Sequence, residues 1–352
     1  MNHISKRRKL EGSDDQMAPS ALRRRILAWY RKHKRDLPWR RTRDPYSIWI
    51  SEVMLQQTRA VAVVPYYERF LARFPDVNTL ARAPEQELLA AWAGLGYYSR
   101  ARNLQLAARK IHEMGEFPRD YSSLRSLAGI GDYTAAAISS IAFDLPHAVL
   151  DGNVIRVLSR FIGEPGNVRS LAVRNRLREV AERILDPKHP GDFNQALMEI
   201  GATVCLPREP RCATCPLRGR CVARLEGRQN EFPVKPAPPS SLRVEKRLLV
   251  IERRNGILMY QRPHGNRMAG FWELPEPQQL PLARLRTRIG EFRHTIMNTT
   301  FHVEVLRASL KNAPQGFRWI SHHSLRTMPL STATVKALAC ISPAIGATRC
   351  GT

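Results

Sequence analysis

The sequence predicts a mainly α-helical N-terminal domain followed by a small α/β domain. Three observations carry that expectation. Apolar residues recur at helical spacing from Ser20 to Cys205, with no convincing strand before residue 230. The segment Gly227 to Ser241 contains Asn230-Glu231-Phe232-Pro233-Val234-Lys235-Pro236-Ala237-Pro238-Pro239, too rich in proline for a helix. Beyond it, Phe301-His302-Val303-Glu304-Val305 alternates with the period of a strand.

The expected order of elements follows from local pattern. Residues 1–18 carry the basic cluster Lys6 to Lys9, then acidic and small residues, and predict a disordered tail. From Ser20 a helix puts Leu22, Ile26, Trp29 and Tyr30 on one face and Arg23, Arg24, Arg31 and Lys32 on the other. Leu37-Pro38-Trp39-Arg40 interrupts it, and Asp44-Pro45-Tyr46 starts a second helix running through Glu52 to Leu55-Gln56-Gln57-Thr58. Further helices are expected at about 60–73, 84–92 and 99–114, with Gly94-Leu95-Gly96-Tyr97-Tyr98 between the last two. A short run ending at Leu127, the turn Ala128-Gly129-Ile130-Gly131 and a helix opened by Asp132 form a helical hairpin. Asp151-Gly152-Asn153 then opens a helix carrying Val154, Val157, Leu158 and Phe161. The expected division is a helical domain at 19–226, a connector at 227–243 and the α/β domain at 244–352. Within the last, Lys246 to Glu252 and Gly256 to Gln261 are expected strands around a turn.

Composition narrows the function. The 352 residues hold 56 Lys and Arg against 31 Asp and Glu, a formal net charge of +25. Nucleic acid is the partner that uses so large a positive field. No apolar run is long enough for a bilayer and no secretory h-region is present, so a soluble intracellular protein without a membrane partner is expected. Four of the six cysteines, Cys205, Cys212, Cys215 and Cys221, fall within seventeen residues, which argues against a secreted disulfide framework.

Several positions suit chemistry on DNA. Gly129 and Gly131 leave the hairpin turn free of side chains between its amides and a phosphate, a contact that holds a backbone without reading sequence. Asp151 sits at a helix start, where the positive helix end keeps a carboxylate ionised. Glu52 lies among Trp49, Ile50, Val53 and Met54, a setting that raises its pKa and keeps a proton available. The C-x6-C-x2-C-x5-C spacing supplies four thiolates in one loop, and spacing alone leaves zinc and a [4Fe-4S] cluster both open. Arg208, Arg211, Arg218 and Arg220 stand in or beside that loop, within reach of phosphates.

The hairpin followed by Asp151 resembles the helix-hairpin-helix superfamily of DNA base-excision glycosylases. Leu37-Pro38-Trp39-Arg40, Ser51-Glu52-Val53-Met54-Leu55-Gln56-Gln57-Thr58 and Gly94-Leu95-Gly96-Tyr97-Tyr98 sharpen this to a resemblance to adenine DNA glycosylases of the MutY type over residues 20–225. The resemblance implies a fold of two helical subdomains and catalytic roles for Glu52, Asp151, Tyr133 and Asn153. Glu52 matches the acid that protonates adenine and later activates water; Asp151 matches the carboxylate that stabilises the sugar cation or adds to it. Gln57 and Tyr97 match residues that fill the gap left by an extruded base, and Arg40, Leu55 and Gln195 match positions around that base. The four cysteines match the ligands of a [4Fe-4S] cluster. Tyr133 stands where the related endonuclease III enzymes hold a Schiff-base lysine, which implies base removal without strand cleavage. The implied partner is duplex DNA containing A opposite 8-oxoguanine or G, met by a monomer in the cytoplasm on the nucleoid. The rival readings are an endonuclease III-like glycosylase and AP lyase for oxidised pyrimidines, and a lesion-binding protein without catalysis.

Residues 244–352 resemble the Nudix-like domain that this family uses to sense 8-oxoguanine. Gln261-Arg262-Pro263 and Met268-Ala269-Gly270-Phe271-Trp272-Glu273-Leu274-Pro275 carry that resemblance, and no Nudix box follows them. One departure stands out. Family members commonly follow a His-Thr pair with Phe-Ser-His, whereas this chain has Ile296-Met297-Asn298 after His294-Thr295.

Overall fold

The computed structural model describes residues 19–236, 240–254, 256–263, 269–296, 298–326 and 328–341. The basic tail at 1–18, Met268, Met297 and Cys350 lie outside them. The described residues form two compact units, each discontinuous in sequence: 19–52, 118–126 and 130–236 make the first, and the described parts of 53–117, 127–129 and 240–341 the second. No described helix is long and apolar enough to cross a membrane.

The helices are α1 (Pro19–His33), α2 (Pro45–Leu55), α3 (Ala60–Arg73), α4 (Val77–Arg82), α5 (Glu85–Trp92), α6 (Ser99–Met114), α7 (Tyr121–Arg125), α8 (Asp132–Phe143), α9 (Gly152–Ile162), α10 (Leu171–Ile184), α11 (Pro190–Thr203), α12 (Val222–Leu225) and α13 (Thr332–Ala339). The strands are β1 (Leu242–Val250), β2 (Glu252–Arg253), β3 (Gly256–Gln261), β4 (Trp272–Glu273), β5 (Arg284–Ile296), β6 (Thr299–Ser309) and β7 (Phe317–Ser321).

In the first unit, α8 is the central element, with Thr134 to Ile141 all buried. Small residues let its neighbours close in. A Cβ on Gly191 of α11 would stand 2.6 Å from the carbonyl oxygen of Ser140, so α11 crosses α8 nearly backbone to backbone. Polar groups at helix ends are satisfied across the unit. Arg23 of α1 donates to the carbonyls of Ile184 (3.1 Å) and Arg183 (3.0 Å), placing a cation at the C-terminal end of α10. The expectation that Arg23 simply points outward is therefore corrected, and Trp29, expected on the apolar face, is only half-buried while Leu27 is buried beside Ile26. Residues 227–236 pack on this unit: Phe232 is buried and its carbonyl accepts from Arg160 at 3.1 Å.

In the second unit, α3 to α6 pack through Phe70, Leu80, Leu88 and Trp92, all fully buried. The six-residue α4, capped by Asp76 at the amide of Thr79, is too short to show a helical period in sequence. The α/β part holds a sheet in the order β1-β6-β5, with β1 and β6 parallel and β5 antiparallel to β6, and a second sheet in which β3 pairs with β2, β4 and β7. Leu248, Val303 and Val305 join Ile257, Met259, Trp272 and α13 in one core, while Leu249, Leu306 and Leu258 form another. β1 begins at Leu242 rather than Lys246, because parallel pairing of Leu242 with Thr299 draws in residues whose side chains stay exposed. β5 carries arginines at 284, 286, 288 and 293, which hid it from an apolar alternation test.

Candidate active site

Glu52 projects from α2 and is 4% exposed. A carboxylate so placed needs a partner, and the Tyr133 hydroxyl donates to its Oε2 at 2.5 Å. Burial pushes the Glu52 pKa up to about 7; the Tyr133 hydrogen bond opposes this, the charge of Asp151 adds to it, and Arg40 opposes it weakly. Tyr133, in the first turn of α8, also approaches the Met198 sulfur at 3.2 Å, and its own pKa lies well above the ordinary value through burial and the two carboxylates.

Asp151 is the N-cap of α9, accepting from the amide of Val154 at 2.7 Å, and Asn153 donates from Nδ2 to its other oxygen at 3.0 Å. Burial raises its pKa; the amide and Asn153 bonds and the charge of Arg156 pull the other way. Asn153 is held in turn by Arg156, which bonds its Oδ1 at 2.8 Å and the carbonyl of Gly201 at 2.7 Å. A Cβ on Gly201 would lie 2.5 Å from that of Asn153, so α11 presses on the first turn of α9.

Two carboxylates that feel each other's charge do not both ionise easily. The donors around the two differ. Asp151 accepts from a helix-end amide and a carboxamide, whereas Glu52 is more deeply buried and accepts only from a phenol among the bonds described. The arrangement thus sets a buried glutamic acid, its pKa pushed up to about 7, beside an aspartate that accepts two hydrogen bonds at a helix start.

Arg40 is held by Glu199 of α11, which accepts from it at 2.7 Å and from Arg35 Nε and Nη2 at 2.8 and 2.9 Å. Burial pushes Glu199 up, but these bonds outweigh it and hold the carboxyl at about 2. Glu199, Arg35 and Met198 were not singled out from sequence. A Glu in an Ala- and Gly-containing helix gives no sign of burial. Gln195, half-buried, lies one turn before Glu199 on α11.

The remaining expected residues are placed as follows. Gly131 of the first unit is the N-cap of α8 with an extended backbone (φ −88°), and no atom of another element approaches its Cβ position. Gly129, in the second unit, has φ +75°, and a Cβ there would meet that of Asn103 at 2.7 Å. Left-handed backbone thus occurs at Gly129 and not at Gly131. Leu55 is half-buried at the end of α2, and Gln57 and Tyr97 are exposed at positive φ, 62° and 49°.

Cys205, Cys212, Cys215 and Cys221 are unpaired and partly buried in the first unit. Among the described residues, no three His, Cys, Asp or Glu side chains are arranged around a single metal ion. Burial favours the thiol form of Cys215 and Cys221, and hydrogen-bond donors to sulfur oppose it. Burial pushes Cys215 up to about 12 while the amide of Leu217 opposes it, and the other three cysteines act on it by charge. Amides of Arg224 and Ala223 face Cys221, and Arg160 donates to the Cys205 sulfur at 3.3 Å.

A helical hairpin, a buried acid and a capping aspartate define a DNA-repair glycosylase of the helix-hairpin-helix class. Residues 50–183 match the family model of the HhH-GPD superfamily base excision DNA repair proteins, and residues 247–340 match that of the NUDIX domain. The human adenine DNA glycosylase is 34% identical over 400 residues, covering 90% of this chain and 73% of that protein. The adenine DNA glycosylase of Buchnera aphidicola subsp. Acyrthosiphon pisum is 38% identical over 213 residues, 60% of this chain and 61% of that protein. Among solved structures, a thermostable thymine-DNA glycosylase superposes with a TM-score of 0.54 at 31% identity, covering 59% of this chain and 97% of its own. The chain belongs to the adenine DNA glycosylases, enzymes of base excision repair.

Proposed function

We propose that the enzyme hydrolyses the N-glycosidic bond of adenine mispaired with 8-oxoguanine or guanine in duplex DNA and stops at the abasic site. The observation that carries this is the Tyr133 to Glu52 hydrogen bond set beside Asp151. Protonated Glu52 donates its proton to a ring nitrogen of adenine, the bond to C1′ breaks, and the base leaves neutral. Ionised Asp151 stabilises the cationic sugar, Tyr133 and Asn153 hold the two carboxylates, and Glu52, now a base, takes a proton from the water that adds to C1′. Tyr133 has no amine with which to form a Schiff base, which supports hydrolysis without strand cleavage.

The adenine must leave the stack to reach these groups. Gln57 and Tyr97 are assigned to the gap it leaves, supported by their exposure at positive φ; Arg40, Leu55 and Gln195 are assigned to the pocket. Gly129 and Gly131 are assigned to the DNA backbone. The four cysteines are assigned to a [4Fe-4S] cluster, supported by their spacing and by the amide and Arg160 donors around them. When bound, such a cluster ties the loop and the arginines around it into one shape. The proposed organisation is a helical catalytic domain at 19–226 and a lesion-sensing domain at 244–352 joined by the 227–243 connector, in a monomer working in the cytoplasm on the nucleoid.

Single-turnover release of adenine opposite 8-oxoguanine, guanine and thymine, compared at one salt concentration, tests the assignment. Faster release opposite 8-oxoguanine and guanine than opposite thymine is expected, and equal release opposite all three contradicts the mispair reading.

A further inference from the structure

Arg100, in the first turn of α6, has no part in the chemistry above, yet its guanidinium gathers backbone from two separate segments. Nη1 donates to the carbonyls of Val53 (2.7 Å), Met54 (3.3 Å) and Gln56 (2.7 Å) at the end of α2. Nη2 donates to the carbonyls of Leu95 (3.1 Å) and Gly96 (3.2 Å). The residue that follows Gln56 is Gln57, and the one that follows Gly96 is Tyr97. Both sit in left-handed backbone, φ 62° and 49°, which an amino acid with a side chain adopts only when its surroundings hold it there. The guanidinium also lies 5.5 Å from the centre of the Tyr97 ring.

We propose that Arg100 is a positioning residue that locks the Gln57 and Tyr97 tips into one fixed pair, so that they enter the duplex together as the target adenine leaves. The proposal rests on the assignment of Gln57 and Tyr97 as gap-filling residues. Its physical content is pre-organisation: five carbonyl acceptors converge on one planar fork, so the two tips do not have to be ordered when DNA binds. A lysine keeps the charge but offers a single nitrogen, which cannot span both segments in the same way.

Stopped-flow emission from a duplex carrying 2-aminopurine in place of the target adenine reads extrusion directly. Three proteins are compared with the parent: Arg100→Lys, the pair Gln57→Ala with Tyr97→Ala, and all three changes together. Arg100→Lys is expected to slow extrusion about 10-fold or more, the scale on which small misplacements act. The alanine pair is expected to slow it as well, and adding Arg100→Lys to that pair should cost less than about 2-fold, because the arginine acts through the residues already removed. A full additional loss on the alanine background overturns the proposal, as does normal extrusion by Arg100→Lys. Normal extrusion by the alanine pair instead overturns the gap-filling assignment, and the proposal with it. Thermal unfolding separates positioning from general stability: Arg100→Lys is expected to melt close to the parent, and a large drop with an equal loss in duplex binding overturns the proposal. Arg100→Gln, which keeps a planar donor but loses the charge and the span, serves as the second variant.

Discussion

The Tyr133 hydroxyl donates to Oε2 of Glu52 across 81 positions of sequence. Because this bond favours the charged form of Glu52, its removal shifts the balance further towards the protonated acid. Adenine release is expected to fall as pH rises through about 7, where Glu52 loses its proton. In Tyr133→Phe the falling limb is expected at higher pH, with a rate at the optimum reduced about 10-fold or more by loss of the orienting bond. Single-turnover rates from pH 5 to 9 measure both.

Glu52 also costs stability, and the sign follows from its raised pKa. The unfolded chain gives up this proton near 4.5, whereas the native protein holds it to about 7. Between those values the folded state binds more protons, so stability falls as pH rises through that window and stays reduced above it. Glu52→Gln removes the ionisation while keeping an acceptor for Tyr133. It is expected to be more stable than the parent at pH 8 by roughly 1–3 kcal/mol, with little difference at pH 4.5. Urea unfolding at the two pH values checks this, and equal stability gains at both would contradict it.

Gly201 sets how closely α11 meets the residue that steadies Asp151. An alanine there would bring its Cβ to within 2.5 Å of the Asn153 Cβ and 3.1 Å of its Cα, and neither atom can move without the start of α9. Gly201→Ala is expected to destabilise the protein by about 1–3 kcal/mol and to slow adenine release through displaced Asn153. A melting temperature and rate equal to the parent would contradict that packing.

The cysteine loop predicts a coloured protein. Preparation without oxygen is expected to give a brown product with iron and sulfide in the proportions of a [4Fe-4S] cluster. A colourless, zinc-containing preparation with full activity would contradict the cluster assignment.

Much of this was legible in the chain. Helical period outlined α1, α2, α3, α5 and α6, the Asp151-Gly152-Asn153 step marked the N-cap of α9, and the apolar neighbours of Glu52 announced its burial. What pattern could not supply is pairing over distance. Arg35 and Arg40 meet Glu199 from 164 and 159 positions away, and no local pattern marks either pairing before the fold brings them together. Arg100 was hidden for a related reason: its partners are carbonyls, which every residue has, so no side-chain signature betrays them. β5 was missed because its arginines face solvent on an edge strand, where apolar alternation is not required.

Asp151→Asn isolates the division of labour between the two carboxylates. Asparagine keeps the N-cap and the shape of the site but removes the negative charge proposed to stabilise the sugar cation. Single-turnover adenine release by this variant, measured on a duplex it is shown to bind, tests the account most directly. Retained binding with release slowed at least about 1,000-fold is the expected result. Release at the parent's rate would mean that the sugar cation is stabilised elsewhere.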